Sequence, residues 1–187
     1  ERLKLNSFIT SSKEVTKNIK GVPKFILLNS KKEFEKVLEE IEKIGFVAID
    51  TETNSLNIEN AILVGLSLCF NENKSYYIPI NHQSSNNGTK IQNQLEENYV
   101  IKKINSICSD ESILKIGQNI KYDIRILGKY GVVFKSIADT MLISYAIDNG
   151  IYKHNLDDLA FNHLNHSTIK YKDVVGTGKN EITFDKV

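Results

Sequence analysis

One apolar run that leads directly into two acids constrains this chain more than any other feature. Residues 46–49 (FVAI) are continuously apolar, which predicts a buried strand, and Asp50 and Glu52 follow at once. Side chains at positions i and i+2 of a strand point to the same face, so these carboxylates are expected to converge. Adjacent carboxylates raise each other's pKa unless a cation lies between them, and hard oxygen ligands suit Mg²⁺ or Mn²⁺. A lone D-x-E triplet is also common in surface turns, so it is weak evidence by itself.

The pattern along the chain predicts early strands followed by alternating strands and helices. This order indicates an α/β class, a mixed sheet packed by helices. A polar loop is expected at 81–95, and no regular element at 174–187. The predicted strands are 25–28, 46–50, 61–70, 75–80 and 113–117, and the predicted helices are 31–44, 96–109, 119–130, one from Asp139 through Tyr145, and one from Asn155 to Leu164.

Local signals mark the ends of several of these helices. Ser30 to Glu33 form a predicted capping box, and Gly45 is expected to end the same helix. Asn155 is a predicted N-cap. Helical spacing directs one set of side chains inward in the helix at 96–109 and another in the last helix. The two sets are Tyr99, Ile101, Ile104 and Ile107, and Leu156, Leu159, Ala160 and Leu164.

Composition bounds the class of protein but not its partner. A net charge of +1 does not by itself predict a nucleic-acid binder, although an enzyme with a carboxylate-rich cleft need not be basic. No apolar run approaches twenty residues, so no transmembrane helix is predicted. Two cysteines without metal-like spacing predict free thiols in a cytoplasmic protein. We expect residues 1–22 to be a linker or the tail of a preceding domain, and residues 23–187 to form one domain.

A second group of polar residues lies where a strand is expected to give way to a helix. Gly117 ends the predicted strand, and Asn119 and Asp123 lie four residues apart, which places them on one face of the predicted helix. Taken alone, this group is better explained by Asn119 as a plain helix cap and Asp123 as a first-turn acid favoured by the helix dipole. The two acidic groups taken together favour a functional site.

These motifs resemble those of a known family. IDTETNSL (49–56) resembles the first exonuclease motif of the DNA polymerase I family, and IGQNIKYDIRIL (116–127) resembles the second. The first two motifs are common to a whole nuclease superfamily, whereas the later stretches point more narrowly to the proofreading domains of DNA polymerase I. The resemblance extends over about residues 24–187 and includes ADTMLISYAI (138–147), HNLDDLA (154–160) and GTGKN (176–180), in order and at compatible spacing.

The resemblance implies a ribonuclease H-like fold and a two-metal mechanism. Asp50, Glu52 and Asp123 would be the catalytic residues and would hold two divalent ions, Mg²⁺ or Mn²⁺, with Asp50 bridging both. One ion would activate a water, and the other would stabilise charge on the leaving 3′ oxygen. The family's third motif, a tyrosine followed four residues later by an aspartate, is absent after Tyr171. We therefore expect a fragment with an incomplete first metal site and weak or no activity.

The resemblance also implies how nucleic acid is bound. Leu56 falls where the family places an apolar wedge against the terminal base, although simple packing would explain it equally well. An aromatic residue at Tyr171 suits stacking on any base. At the position of Lys153 the family often has arginine, and lysine keeps the charge but loses the bidentate fork. The full expected nucleic-acid-binding set is Thr53, Leu56, Gln118, Asn119, Tyr122, Lys153 and Tyr171.

The expected function is 3′–5′ proofreading of DNA. The implied partners are a single-stranded 3′ end of DNA and a polymerase domain on the C-terminal side, with no membrane and a monomeric state, in the cytoplasm. The alternative enzyme is a ribonuclease D-like RNA exonuclease of the same fold. A third alternative is a vestigial domain that only channels DNA, but the presence of all three acids argues against it.

Overall fold

Six strands form one sheet in the computed structural model, which describes residues 24–84, 88–148 and 153–187. Their order in the sheet is β1-β4-β3-β2-β5-β6, and the predicted α/β class is confirmed. Strands β2, β3 and β4 pair antiparallel, whereas β1–β4, β2–β5 and β5–β6 are parallel. The last strand was not predicted. The bounds are β1 (Lys24–Leu27), β2 (Phe46–Thr53), β3 (Leu63–Asn71), β4 (Lys74–Pro79), β5 (Leu114–Gly117) and β6 (Ile137–Asp139).

Helices and short turns flank this sheet. None of the helices in the described ranges is long and apolar enough to cross a membrane. Both cysteines are free, as expected, and Cys108 is buried. The helices are α1 (Lys31–Ile44), α2 (Glu97–Ser109), α3 (Lys121–Gly128), α4 (Thr140–Ile147), α5 (Leu156–Leu164) and α6 (Tyr171–Val175), with 3₁₀ turns at Gly178–Asn180 and Phe184–Lys186.

Strand β2 is central and continues beyond the predicted end. Val47 and Ile49 are buried in the core, and the strand runs on to Thr53, so the acids lie within it rather than at its end. Its pairing with β5 covers only Phe46–Ala48, while its pairing with β3 continues to Thr53. One edge of β2 therefore lacks a strand neighbour beyond Ala48. Backbone N–H groups on that edge need other acceptors if they are buried.

Helix α1 is held by its apolar face rather than by its predicted capping box. Phe34, Val37, Leu38 and Ile41 are buried, and Gly45 ends the helix at φ 81° with its N–H bonded to the Ile41 carbonyl. Only glycine adopts that left-handed conformation at little cost. Ser30 occupies the N-cap position, but its side chain makes no capping hydrogen bond, so the capping box was wrong.

Helical spacing identified the inward faces of α2 and α5 only in part. In α2, Ile104 and Ile107 are buried, but Val100 and Cys108 fill the other core positions and Tyr99 and Ile101 lie at the margin. In α5, Ala160 is buried whereas Leu156 and Leu164 are 56% and 53% exposed. An apolar stripe predicts which face of a helix is suited to burial, but not which element covers it, so the assignments of Leu156 and Leu164 were wrong.

The segment 81–95 and the C-terminal tail are more ordered than their polar sequences suggested. His82 and Leu95 are buried, and Gln83 bridges to Lys90, so the prediction of an exposed loop was wrong for both ends; residues 85–87 lie outside the described residues. The expectation of no element at 174–187 was also wrong. The tail contains the end of α6 and two 3₁₀ turns, and it buries Val175 and Asp185.

Candidate active site

Asp50 and Glu52 lie on one face of β2, opposite Ser67 and Gly65 of β3. The Asp50 side chain is exposed to solvent, but protein atoms lie around much of its carboxylate. The Glu52 side chain is half-buried. Burial, with a contribution from the charge of Asp123, raises the pKa of Asp50 to about 6. Burial, followed by the charges of Asp50 and Asp123, raises the pKa of Glu52 to about 7. These shifts indicate three carboxylates that repel one another across a small space.

Asp123 reaches this place from the first turn of α3. Its Oδ1 accepts hydrogen bonds from the Thr51 N–H at 2.8 Å and from the Thr51 hydroxyl at 2.7 Å. The side chain is only 2% exposed, and burial raises its pKa although the bonds from Thr51 oppose that effect. The Thr51 N–H lies on the edge of β2 that β5 no longer covers. The structure thus brings Asp123 close to Asp50 and Glu52, although it is far from both of them in sequence.

The segment that follows β2 presents an apolar side chain to solvent. Tyr122 donates its hydroxyl to the Ser55 carbonyl at 3.0 Å and lies 2.7 Å from the Thr53 hydroxyl, which itself donates to the Ser55 carbonyl at 2.9 Å. These bonds fix the turn that carries Leu56, whose side chain is 89% exposed. Packing against the protein interior therefore does not explain an apolar residue at position 56.

A groove of about 540 Å³ joins this turn to the C-terminal part of the chain. Leu56 and Tyr171 both line it. Tyr171 is 57% exposed and stacks on Phe184 at a centroid distance of 6.3 Å. Burial raises the pKa of Tyr171, with smaller contributions from nearby acids that include Glu52. Asn54 and Ser55, which follow Glu52 closely along the chain, line the same groove.

Comparison with known proteins assigns the family. The family model described as 3′-5′ exonuclease matches residues 25–187. The chain belongs to the 3′–5′ exonuclease family. DNA polymerase I of Rhizobium leguminosarum is 40% identical over 156 residues, which is 76% of this chain and 15% of that protein. The chain thus spans about a seventh of that curated relative, and the expected resemblance to the exonuclease domain of DNA polymerase I is confirmed.

Solved structures share the fold at low sequence identity. Escherichia coli RNase D has a TM-score of 0.59 and 14% identity, over 80% of this chain and 36% of that chain. Brucella melitensis NrnC with bound Mg²⁺ has a TM-score of 0.56 and 20% identity, over 80% of this chain and 65% of that chain. The predicted ribonuclease H-like fold is confirmed.

The chemistry of the acids in this exonuclease suits a divalent cation. Three carboxylates offer only hard oxygen ligands, and their mutual repulsion is the effect that a cation between them would relieve. In the described ranges, however, no group of three or more His, Cys, Asp or Glu side chains has the geometry to hold a metal ion. The Thr51 bonds engage one oxygen of Asp123. The three carboxylates are therefore the right type of ligand for a divalent cation, but they do not form a complete metal site in this structure.

Two of the expected nucleotide-binding amides of the exonuclease face inward. Gln118 donates to the His154 carbonyl at 2.8 Å and accepts from the Thr140 hydroxyl at 2.5 Å. Asn119 has φ 56° and lies before the helix, because α3 begins at Lys121 with Ile120 as its N-cap. The prediction that Asn119 opens the helix and shares a face with Asp123 was therefore wrong.

Lys153 precedes His154, whose carbonyl accepts the hydrogen bond from Gln118. It is exposed and follows directly after residues 149–152, which lie outside the described ranges. Its contact with a phosphate stays a prediction.

The residues that surround the acids have little signal in the local sequence. Thr51 points to the face opposite Asp50 and Glu52 and was treated only as the spacer between them. Tyr77 lies over Gly65, and its hydroxyl is 2.7 Å from His82 Nε2. Asp139 accepts three backbone hydrogen bonds. Only Asp139 had a sequence signal, since it lies in the ADTM stretch of the resemblance.

The raised pKa values predict that metal-free protein becomes less stable as pH rises from about 4 to about 7. In that window the folded carboxyls of Asp50 and Glu52 bind more protons than the unfolded ones, whose ordinary pKa values are 3.8 and 4.5, so the free energy of unfolding falls with pH. We expect the free energy of unfolding to fall by about 2 kcal/mol over this window. This is less than the two pKa shifts would give in full, because solvent at Asp50 screens the repulsion.

Urea unfolding in the presence of a chelator, at pH 4.5 and pH 7.5, measures this effect. His82 makes the free energy of unfolding rise with pH instead, because burial lowers its pKa. The reference is therefore an Asp50→Asn/Glu52→Gln variant, and the difference between the two proteins isolates the acids. If the variant showed the same pH slope as the wild type, the carboxylates would not repel one another as described.

Proposed function

We propose that this chain is the 3′–5′ proofreading exonuclease domain of a DNA polymerase I, and that it hydrolyses 3′-terminal nucleotides of DNA. The single observation that carries the proposal is the meeting of Asp50, Glu52 and Asp123 in a member of this family. A polymerase domain would follow in a longer, monomeric cytoplasmic protein. The match to a small part of a relative named DNA polymerase I supports this arrangement.

In this proposal the acids are the catalytic groups. Asp50, Glu52 and Asp123 would hold two divalent ions, Mg²⁺ or Mn²⁺, which when bound would activate a water and stabilise charge on the leaving 3′ oxygen. Thr51 holds the Asp123 carboxylate against β2 through two hydrogen bonds.

The groove beside the acids would bind the last nucleotides of a single strand. Leu56 and Tyr171 present an apolar side chain and an aromatic face that contact bases without reading their hydrogen-bonding edges. Tyr122 and Thr53 would act by fixing the turn that carries Leu56. Such a site suits proofreading, because a mispaired terminus can be any of the four bases.

Replacing Tyr171 with alanine should weaken substrate binding more than catalysis. Loss of one base–aromatic stack raises KM for single-stranded DNA about tenfold and leaves kcat within about threefold. Steady-state excision of a labelled oligonucleotide gives both constants. Tyr171→Phe keeps the aromatic face and should retain KM, and Phe161→Ala removes an aromatic residue that is equally exposed on α5. An unchanged KM in Tyr171→Ala would remove Tyr171 from the binding surface.

The second candidate function is RNA trimming. It is favoured by the shared fold with E. coli RNase D, an exoribonuclease involved in structured RNA processing. Matched DNA and RNA oligonucleotides of one sequence separate the two functions. The proposal predicts faster excision from DNA, and a preference for RNA of tenfold or more would favour the alternative.

A further inference from the structure

The carboxylate of Asp139 ties together two segments that are far apart in sequence. Its Oδ1 accepts the N–H groups of Asn119 and Met141, each at 3.0 Å, and its Oδ2 accepts the N–H of Ile120 at 3.1 Å. The side chain lies at the end of β6 and is 9% exposed. One bond caps α4, and the other two hold the backbone that enters α3.

The backbone at the start of α3 needs such support. Asn119 has φ 56°, a left-handed conformation that asparagine adopts more readily than most residues with a side chain but that still costs free energy unless neighbouring contacts impose it. The two bonds from Asn119 and Ile120 to Asp139 impose it here. Because α3 begins at Lys121, directly after Ile120, the same two bonds determine where its first turn lies.

The first turn of α3 carries Asp123, whose carboxylate must meet Thr51 across the sheet. Asp123 is thus located from two sides, by Thr51 on β2 and by Asp139 at the end of β6. We propose that Asp139 is a positioning residue that aligns the Asp123 carboxylate with Asp50 and Glu52. Its effect on excision rests on the proposed function, whereas its effect on the Asp123–Thr51 contact does not.

Hydrogen exchange at the Thr51 amide tests the alignment without any activity. This N–H donates to Asp123, so its exchange rate reports whether Asp123 is in place. In Asp139→Ala we expect exchange at Thr51 to be about tenfold faster, and in Asp139→Asn, which keeps one carbonyl acceptor, an intermediate rate. The control is Asn155→Ala, which removes the cap of α5 at the Asp158 N–H. Equal acceleration in Asn155→Ala, or none in Asp139→Ala, would overturn the proposal.

Excision kinetics of the full-length protein then separate positioning from general stability. Asp139→Asn should lower kcat about tenfold or more, with KM within about twofold and polymerisation unchanged. In an Asp123→Asn background the same change should have no further effect, because Asp139 acts through Asp123. Additive losses would contradict the proposal. If the wild-type protein failed to excise DNA, the proposed function would fail, and exchange at Thr51 would still decide the role of Asp139.

Discussion

Asp50→Ala in the full-length protein is expected to lower the rate of 3′ excision by about a thousandfold or more while leaving polymerisation nearly unchanged. Asp50 shares one face of β2 with Glu52, and Asp123 contributes to its raised pKa, so its removal takes away one of the three carboxylates that are proposed to hold the metal ions. Polymerisation is spared because it would take place in a separate domain. Primer extension and excision of a 3′ mismatch, measured on the same preparation, give the two rates.

The matched control for this change is Glu39→Ala, which removes an exposed acid on the outer face of α1. It should leave both rates at the wild-type level. Equal losses of excision and polymerisation in Asp50→Ala would contradict the division of labour between domains. Excision at the wild-type rate would remove Asp50 from the catalytic set.

A single methyl group at Gly65 is expected to lower the free energy of unfolding by about 2–3 kcal/mol. A Cβ at this position would lie 2.1 Å from the Tyr77 hydroxyl oxygen and 2.4 Å from the adjacent ring carbon, so the ring would have to move. Its displacement breaks the 2.7 Å contact between the Tyr77 hydroxyl and the buried His82. Because Gly65 pairs with Glu52, Gly65→Ala should also reduce excision.

Gly128→Ala is the matched control for Gly65→Ala. A Cβ at Gly128 would meet no atom within 4 Å, and the residue lies at the end of α3, so stability should change by less than about 0.5 kcal/mol. Urea unfolding at one pH compares the two variants. If Gly65→Ala were as stable as Gly128→Ala, the packing of Tyr77 over the strand would be different from that described.

Local patterns were sufficient to predict the elements near the acids. The apolar run before Asp50 defined β2, and the two-residue period of a strand placed Asp50 and Glu52 on one face. The same reasoning failed for Asn119, because helical spacing does not reveal a left-handed residue just before a helix. It also failed for the exposed side chains of α5, since burial depends on the neighbouring elements.

The supporting contacts could not be predicted because they join distant parts of the chain. Thr51 and Asp123 are 72 residues apart, and their contact depends on the early end of the β2–β5 pairing. Gln118 bonds to the His154 carbonyl 36 residues away, which uses an amide that the resemblance had assigned to the nucleotide. Such pairings follow from the packed sheet and leave no mark in the local sequence.

Digestion of 5′-labelled single-stranded DNA by the full-length protein with Mg²⁺ tests the central claim most directly. Stepwise removal from the 3′ end predicts a ladder of products, each one nucleotide shorter than the last, with mononucleotides released. An Asp50→Asn/Glu52→Gln/Asp123→Asn variant should leave the strand intact while it still extends primers. Internal fragments, early release of the 5′ label, or an undiminished ladder from the triple variant would contradict a 3′–5′ exonuclease built on these three carboxylates.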